Sequence, residues 1–248
     1  MLNTIHHGEG GQKPDLLIAH GLFGSGRNWG VIGKRLSDER RVTAVDMRNH
    51  GMSPRFDSHT YPEMADDLAK VIDGQWDVLG HSMGGKAAMM LALAHPEKVR
   101  RLVVADIAPV TYTHTQSHNI DAMRRVDLSA VKSRSDAAAQ LSGLEPGLSD
   151  FFLQSLDLKE RRWRLNLDAL EANMPAIIGF PAVTGQFSGP TLFLTGATSD
   201  YVRPEHREHI KSLFPKARFA KIPGAGHWLH ADKPREFEAA VRVFLDQE

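Results

Sequence analysis

The sequence has 248 residues, of which 42% are hydrophobic, so the chain is long enough to bury a full core. Its 30 basic and 30 acidic side chains cancel, so no net charge attracts nucleic acid or an anionic membrane. The lack of cysteine excludes disulfides, thiol nucleophiles and thiolate metal sites.

The N-terminal residues, MLNTIHHGEG, have neither the basic region nor the apolar region of a secretory signal. The longest purely apolar run, Ala87–Ala94, is too short to span a bilayer. We therefore expect a cytoplasmic protein that binds neither nucleic acid nor membrane.

Short runs rich in leucine and β-branched residues recur along the chain and predict strands. They are DLLIAHG (Asp15–Gly21), RVTAVDM (Arg41–Met47), WDVLGHS (Trp76–Ser82), RLVVADI (Arg101–Ile107), TLFLTG (Thr191–Gly196) and ARFAKIPG (Ala217–Gly224). Most of these runs are apolar at nearly every position, which is typical of a parallel sheet covered on both faces.

Helical patterns alternate with these strands. Thr60 and Glu63 have the spacing of a capping box at the start of one helix. A second helix is predicted over Ser82–Leu93, ended by Pro96, and Pro234 suits the first turn of a third. Strand and helix in alternation predict a doubly wound α/β sheet.

The alternation breaks between residues 110 and 187, where we find helical patterns and no convincing strand. The patterns cover Asp121–Val131, Ser135–Leu141, Ser149–Leu156 and Leu165–Asn173. Roughly 75 residues without sheet are too many for a loop. We therefore predict an α/β core domain formed by residues 1–109 and 188–248. Residues 110–187 are predicted to form a helical cap over the carboxyl edge of the sheet.

One serine stands in a G-x-S-x-G motif, Gly80-His81-Ser82-Met83-Gly84, placed after a predicted strand and before a predicted helix. The two glycines permit a sharp turn that holds the serine in a strained backbone conformation. A side chain at either glycine position would collide with the neighbouring strand or helix. The hydroxyl then lies at a helix N-terminus, which favours developing negative charge. We predict that Ser82 is a nucleophile.

A nucleophilic serine needs a base within reach, and the base needs a carboxylate. We predict that the base is His227 in GAGHWLHADKP, which follows the last predicted strand. Asp106, at the end of LVVAD, and Asp200, in TGATSDYV, compete as the acid. The acid often lies three residues after the glycine of the later strand, and Ser199 holds that position here. We therefore prefer Asp106, with Ser199 as an accessory residue that hydrogen-bonds the Asp106–His227 pair.

The glycine-rich loop HGLFGSG (His20–Gly26) follows the first predicted core strand and can direct N–H groups into the site. We predict that the backbone amides of Leu22 and Met83 form an oxyanion hole. His206 and His209 have no third ligand, so we predict no metal site. Candidates for the lining of an acyl pocket are Phe23, Trp163 and Trp228.

Six sequence blocks carry a family resemblance, in the order HGLFGS, VDMRNHGMSP, YPEMADDL, GHSMGGKAAM, DIAPV and GAGHWLHADKP. With them the sequence resembles the α/β-hydrolases, and closely the YbfF-type esterases, a bacterial branch related to the mitochondrial abhydrolase-domain proteins. The resemblance covers most of the chain and is weakest over residues 111–186. It implies Ser82 as nucleophile, Asp106 as acid and His227 as base, with a helical cap and no cofactor.

We therefore expect an α/β-hydrolase fold and a serine carboxylesterase that hydrolyses short- to medium-chain carboxylic esters through an acyl-enzyme. The resemblance adds acyl-thio esters as a second substrate class. The same triad on this fold also serves carbon–carbon bond hydrolases, lactonases and cofactor-free perhydrolases, and a catalytically silent ligand-binding protein is a further alternative. The expected partner is a small-molecule ester, and the expected assembly is a monomer or a homodimer.

Overall fold

The computed structural model describes residues 1–141, 143–144 and 147–247. Its strands are β1 (Thr4–His7), β2 (Leu16–Ala19), β3 (Val42–Val45), β4 (Trp76–His81), β5 (Val99–Ala105), β6 (Leu156–Asp157), β7 (Arg162–Trp163), β8 (Thr191–Gly196) and β9 (Ala217–Ile222). Within the described residues, seven of them form one sheet in the order β1-β3-β2-β4-β5-β8-β9. Neighbours in this sheet are parallel, except that β1 pairs antiparallel with β3. The predicted mostly parallel α/β sheet is confirmed.

The helices account for the other half of the alternation. They are α1 (Gly30–Leu36), α2 (Tyr61–Ala69), α3 (Met83–Ala94), α4 (Ser117–Arg124), α5 (Arg134–Gln140), α6 (Leu148–Leu153), α7 (Leu167–Ala172), α8 (Met174–Ile178), α9 (His206–Leu213), α10 (Leu229–Asp232) and α11 (Pro234–Leu245). The predicted capping box of Thr60 and Glu63 begins α2. None of the helices in the described ranges is long and apolar enough to cross a membrane.

The sheet is covered on both faces, which explains its continuously apolar strands. Leu16 and Ile18 of β2 pack in a cluster with α1 and α11. Leu17 and Ala19 point to the opposite face and pack in a cluster with α2 and α3. Successive side chains of a strand alternate between faces, so a strand buried on both sides must be apolar at every position.

All six predicted strands are present, whereas the edge strand β1 was not predicted. Its sequence, TIHH, is mostly polar, and the strand is only partly buried. An edge strand has one neighbour, here β3, and needs no continuous apolar run. The signal that identified the central strands is therefore missing from β1.

The insertion, defined as residues 110–187, contains α4 to α8 together with a β-hairpin. The prediction that this stretch has no strand was wrong, because β6 and β7 pair antiparallel through Leu156 with Trp163 and Asp157 with Arg162. Two residues a strand are too few to show alternation. The first helix predicted there begins at Ser117 rather than Asp121, and α8 was not predicted.

The carboxyl ends of the parallel strands meet at one edge of the sheet. There β2 is followed by the His20–Gly26 loop, β4 by Ser82, β5 by Asp106 and β9 by the loop of His227. The strands β2 and β4 are neighbours although β3 separates them in the sequence. Such a switch point opens a crevice in which α/β proteins bind ligands.

Candidate active site

The turn between β4 and α3 presents Ser82 at the head of the helix. Ser82 has φ 53° and ψ −121°, a conformation that a residue with a side chain rarely adopts. A Cβ atom at Gly80 would lie 2.2 Å from the Gly84 carbonyl oxygen, and one at Gly84 would lie 2.3 Å from the Ala19 carbonyl oxygen. The close approach of strand and helix therefore requires both glycines of the motif.

Three side chains from distant parts of the chain form a continuous contact at this edge. Ser82 Oγ lies 3.1 Å from His227 Nε2, and His227 Nδ1 lies 2.8 Å from Asp106 Oδ2. A carboxylate only accepts hydrogen bonds, so Nδ1 carries the proton and Nε2 is left to accept from the serine hydroxyl. This is the geometry in which a histidine can take a proton from a serine.

The carboxylate of Asp106 is fully buried and meets several donors. The amide of Gly196 donates to Oδ1 at 3.1 Å, and the Ser199 hydroxyl donates to Oδ2 at 2.5 Å. Asp200, the competing candidate, is exposed at the surface. The structure therefore brings Asp106 and Ser199 to His227 and leaves Asp200 outside the site.

Two further aromatic residues contact His227, one at its ring and one at its backbone carbonyl. The Tyr201 ring stacks on it with a centroid distance of 3.9 Å and an interplanar angle of 18°. His81 Nε2 donates to the His227 carbonyl oxygen at 2.8 Å. Burial holds the pKa of His81 well below its usual value, so this ring stays neutral. Tyr201 was not singled out in the sequence.

Two buried histidines hold the loop that follows β2. His20 Nε2 accepts from the Met47 amide at 2.9 Å, and His50 Nε2 accepts from the Phe23 amide at 3.2 Å. Each ring donates its Nδ1 proton to a carbonyl of its own loop. Because Met47 follows β3 and Phe23 follows β2, the two rings cross-link these loops. Burial lowers the pKa of both histidines, which keeps each Nε2 free to accept.

The two predicted oxyanion donors lie in the wall of the same cavity as Ser82. Within the described residues, the amides of Leu22 and Met83 have no hydrogen-bond acceptor in the protein. By contrast, the Gly24 amide in the His20–Gly26 loop already donates to the Gly21 carbonyl oxygen at 3.0 Å. Unsatisfied amides beside a nucleophile can bind a developing oxyanion.

The cavity at the switch point has a volume of about 590 Å³ and lies between the sheet edge and the insertion. Two of the three residues that the sequence suggested for an acyl pocket, Phe23 and Trp228, line it. Trp163 does not, and that assignment is corrected: its Nε1 donates to the Met123 carbonyl at 3.0 Å, inside the packing of the insertion. The insertion contributes both polar and apolar side chains to the wall; the polar ones include His114, Gln116 and Asn119, and the apolar ones are Leu144, Leu148, Phe151, Phe152, Ile177 and Ile178.

Sequence analysis also assigned no role to His50 or Lys86. Lys86 lines the cavity although only 1% of it is exposed. Its signal was a lone charge between Gly84-Gly85 and the apolar run Ala87–Ala94. The histidine stands in the block VDMRNHGMSP, where nothing local indicates its contact with Phe23.

No group of three histidine, cysteine, aspartate or glutamate side chains is placed to hold a metal ion in the part of the chain that the structure describes. His209, one of the two helical histidines, instead contacts the Pro109 carbonyl oxygen through Nε2 at 3.1 Å.

Known proteins resemble this chain in sequence and in architecture. The model of the alpha/beta hydrolase family matches residues 16–240. The chain is 43% identical over 249 residues to the mouse sn-1-specific diacylglycerol lipase ABHD11, covering 94% of this chain and 81% of that protein. It is 38% identical to esterase YbfF of Escherichia coli strain K12, covering 93% and 92%. A solved marine microorganism esterase superposes with a TM-score of 0.92 at 40% identity, over 98% of both chains. The chain belongs to the alpha/beta hydrolase family.

Proposed function

We propose that the protein is a serine carboxylesterase that hydrolyses small carboxylic esters by two-step acyl transfer to water. The observation that carries the proposal is the contact from Ser82 Oγ through His227 to the buried Asp106 carboxylate, beside the cavity that Ser82 lines. The names of the mouse, bacterial and marine relatives, a lipase and two esterases, support the same reaction.

In the acylation step, Ser82 Oγ attacks the ester carbonyl while His227 Nε2 takes the hydroxyl proton. Asp106 keeps the proton of the ring on Nδ1 and stabilises the imidazolium that forms. The amides of Leu22 and Met83 bind the oxyanion, and loss of one such donor typically costs about 3–4 kcal/mol of transition-state stabilisation.

The imidazolium then protonates the leaving alkoxide, and the alcohol departs. In the second step His227 takes a proton from water, which attacks the acyl-enzyme and releases the acid. The proton returns to Ser82 Oγ when the tetrahedral intermediate collapses. A thioester can follow the same route, with a thiol as leaving group.

The volume of the cavity indicates the size of the substrate. We propose that residues 1–109 and 188–248 act as the catalytic core and the insertion as its cap. A cavity of about 590 Å³ lies in the range of small-molecule sites. The apolar part of its wall suits short to medium acyl chains.

The test is hydrolysis of a p-nitrophenyl ester series, a diacylglycerol and an acyl thioester by the wild type and by Ser82→Ala. We expect Ser82→Ala to lower kcat by about 10⁴-fold or more, because the triad acts as a unit. Ser212→Ala is the matched control, since that hydroxyl donates to the His209 carbonyl on an exposed helix. Equal rates for wild type and Ser82→Ala, or no Ser82-dependent labelling by a fluorophosphonate, would refute the proposal.

A further inference from the structure

Lys86 is a buried cation that the esterase mechanism does not use. It is the fourth residue after Ser82, on α3, and is 1% exposed. Its ammonium donates to the carbonyl oxygens of Val110 at 2.8 Å, Ile178 at 2.9 Å and Gly179 at 2.6 Å. All three ammonium protons are thus donated to backbone carbonyl oxygens.

The three carbonyls belong to the first residue of the insertion and to the end of its last helix, α8, and these two positions are called the insertion ends below. Val110 lies where the chain leaves the core, and Ile178 and Gly179 lie where α8 ends and the chain turns back. The last carbonyls of a helix lack intrahelical donors and carry partial negative charge, so a cation is favoured there. One side chain of α3 therefore holds both insertion ends.

Aromatic rings complete the surroundings of the ammonium. The Tyr112 and Tyr61 ring centroids lie 4.7 Å and 5.7 Å from Lys86 Nζ, within the range of cation–π attraction. The Tyr61 hydroxyl donates to the Ile177 carbonyl at 2.6 Å, beside the carbonyls that the lysine holds.

The ammonium has no carboxylate within 4.0 Å in the described ranges of the chain. Burial lowers the pKa of Lys86 to about 7, and only the carbonyl dipoles and ring faces offset the loss of water around its charge. A buried lysine without an acidic partner is uncommon in proteins. Its hydrogen bonds are therefore made to the backbone carbonyls of the insertion ends, with no charged partner among the described residues.

The fastening point is also part of the cavity wall. Lys86, Tyr61, Ile177 and Ile178 all line the cavity that contains Ser82. A shift of the insertion ends would move the isoleucines of α8 relative to the nucleophile. The wall most affected is apolar and suited to contact an acyl chain.

We propose that Lys86 is a positioning residue that holds both insertion ends on the nucleophile's helix and so sets the acyl-chain length that the enzyme prefers. This inference rests on the proposed esterase function. We expect a short acyl group at Ser82 to contact less of the insertion than a longer chain does, so binding of the longer chain should depend more strongly on the lysine.

The first test compares wild type with Lys86→Met, which keeps the length of the side chain and removes its charge. We expect kcat/KM for p-nitrophenyl octanoate to fall roughly tenfold, mainly through KM, as for loss of hydrogen bonds to a charged group. The value for p-nitrophenyl acetate should stay within about threefold. Lys98→Met is the matched control, because Lys98 Nζ also donates to a backbone carbonyl, that of Ile72 at 2.7 Å, outside the insertion.

The second test restores the charge, and it serves even where Lys86→Met folds poorly. The chain has no cysteine, so a Lys86→Cys variant carries one thiol, which can be alkylated in urea before refolding. Treatment with 2-bromoethylamine rebuilds an ammonium on a side chain of lysine length, whereas iodoacetamide leaves a neutral amide. We expect the octanoate preference to return only with the ammonium.

An unchanged octanoate-to-acetate ratio in Lys86→Met, or equal ratios for the two alkylated proteins, would overturn this inference and leave the esterase proposal standing. A wild type that hydrolyses no ester would refute the proposed function instead. In that case amide hydrogen exchange still tests the fastening. Faster exchange at Tyr112 and Gly179 in Lys86→Met supports it, and equal exchange overturns it.

Discussion

The Asp106 carboxylate shows how much of the candidate site depends on single hydrogen bonds. Ser199 Oγ shares Oδ2 with the His227 ring, and the Gly196 amide occupies Oδ1. In Ser199→Ala the carboxylate loses one donor in a fully buried position, so its orientation toward His227 is less well defined. We expect kcat to fall about tenfold with KM unchanged, since a hydrogen bond to a charged group is lost.

Steady-state kinetics on one p-nitrophenyl ester measures this change. Ser212→Ala again supplies the control, because it removes a surface hydroxyl from the same protein. A kcat equal to that of the wild type would show that the Gly196 amide alone orients Asp106.

The oxyanion loop depends in the same way on His50. Its Nε2 accepts from the Phe23 amide, and Phe23 has φ +64°, a conformation that needs support from its surroundings. In His50→Leu this acceptor is lost, and the preceding amide, that of Leu22, is no longer held toward Ser82. We expect kcat to fall roughly 10- to 100-fold with little change in KM, because an oxyanion hole acts mainly in the transition state.

His50→Gln is the matched variant, since a glutamine carbonyl can still accept from the Phe23 amide. It should recover most of the lost kcat. Equal losses in the leucine and glutamine variants, or a change confined to KM, would contradict a role for this histidine in positioning the loop.

On the scale of elements, the packing of α3 on β2 sets the position of the nucleophile. A Cβ at Gly84 would lie 2.3 Å from the Ala19 carbonyl oxygen and 2.5 Å from that of His20. Both atoms are backbone, so Gly84→Ala must displace α3 or the strand. We expect a loss of stability of about 3 kcal/mol or more and a loss of activity, measured by urea unfolding and ester hydrolysis.

Gly30 is the contrasting position at the start of α1. Its φ of −56° is helical, and a Cβ there would meet nothing within 4 Å. Gly30→Ala should therefore stabilise the protein by about 0.5–1 kcal/mol and leave activity unchanged. Similar effects of the two substitutions would show that the close approach at Gly84 does not govern this packing.

The elements that could be predicted are those with a clear pattern over several consecutive residues. β4 and α3 were located because a buried strand, a glycine motif and a helix follow one another. β6 and β7 were missed because two residues a strand carry no periodicity. Their pairing depends on the turn and on packing within the insertion.

The site residues, too, could be predicted only where a local sequence pattern marks them. Ser82 and His227 could be chosen from local motifs, and Asp106 from its place at a strand end. The contact of His50 with Phe23 exists only because β2 and β3 pair side by side. Trp163 was misassigned because a tryptophan in a predicted cap offers no sign of which way β7 turns it.

At the scale of the whole molecule, several histidines are buried and have a lowered pKa, which favours their neutral form. Burial lowers the pKa of seven histidines, and it does so to about 3 for two of them, His59 and His230. The others are His20, His50, His81, His114 and His206. In the unfolded chain each would have its ordinary pKa of 6.5.

These shifts fix the sign of the pH dependence. Between pH 6.5 and about 3 the unfolded chain binds protons that His59 and His230 in the folded protein do not. Stability therefore rises with pH in this window. The contribution is fully present above pH 6.5 and is lost progressively as the pH falls toward the folded-state pKa.

We therefore predict that urea unfolding shows a nearly constant free energy of unfolding between about pH 7.5 and 6.5 and a falling one between 6.5 and about 5.5, where each buried histidine contributes up to about 1.4 kcal/mol per pH unit. His59→Gln should reduce the slope by about one histidine's share, whatever its effect on stability at pH 7.5. His118→Gln, at an exposed position, should leave the slope unchanged. A free energy of unfolding that stays constant over this range, or equal slopes in the two variants, would mean that these rings gain protons without unfolding the core around them.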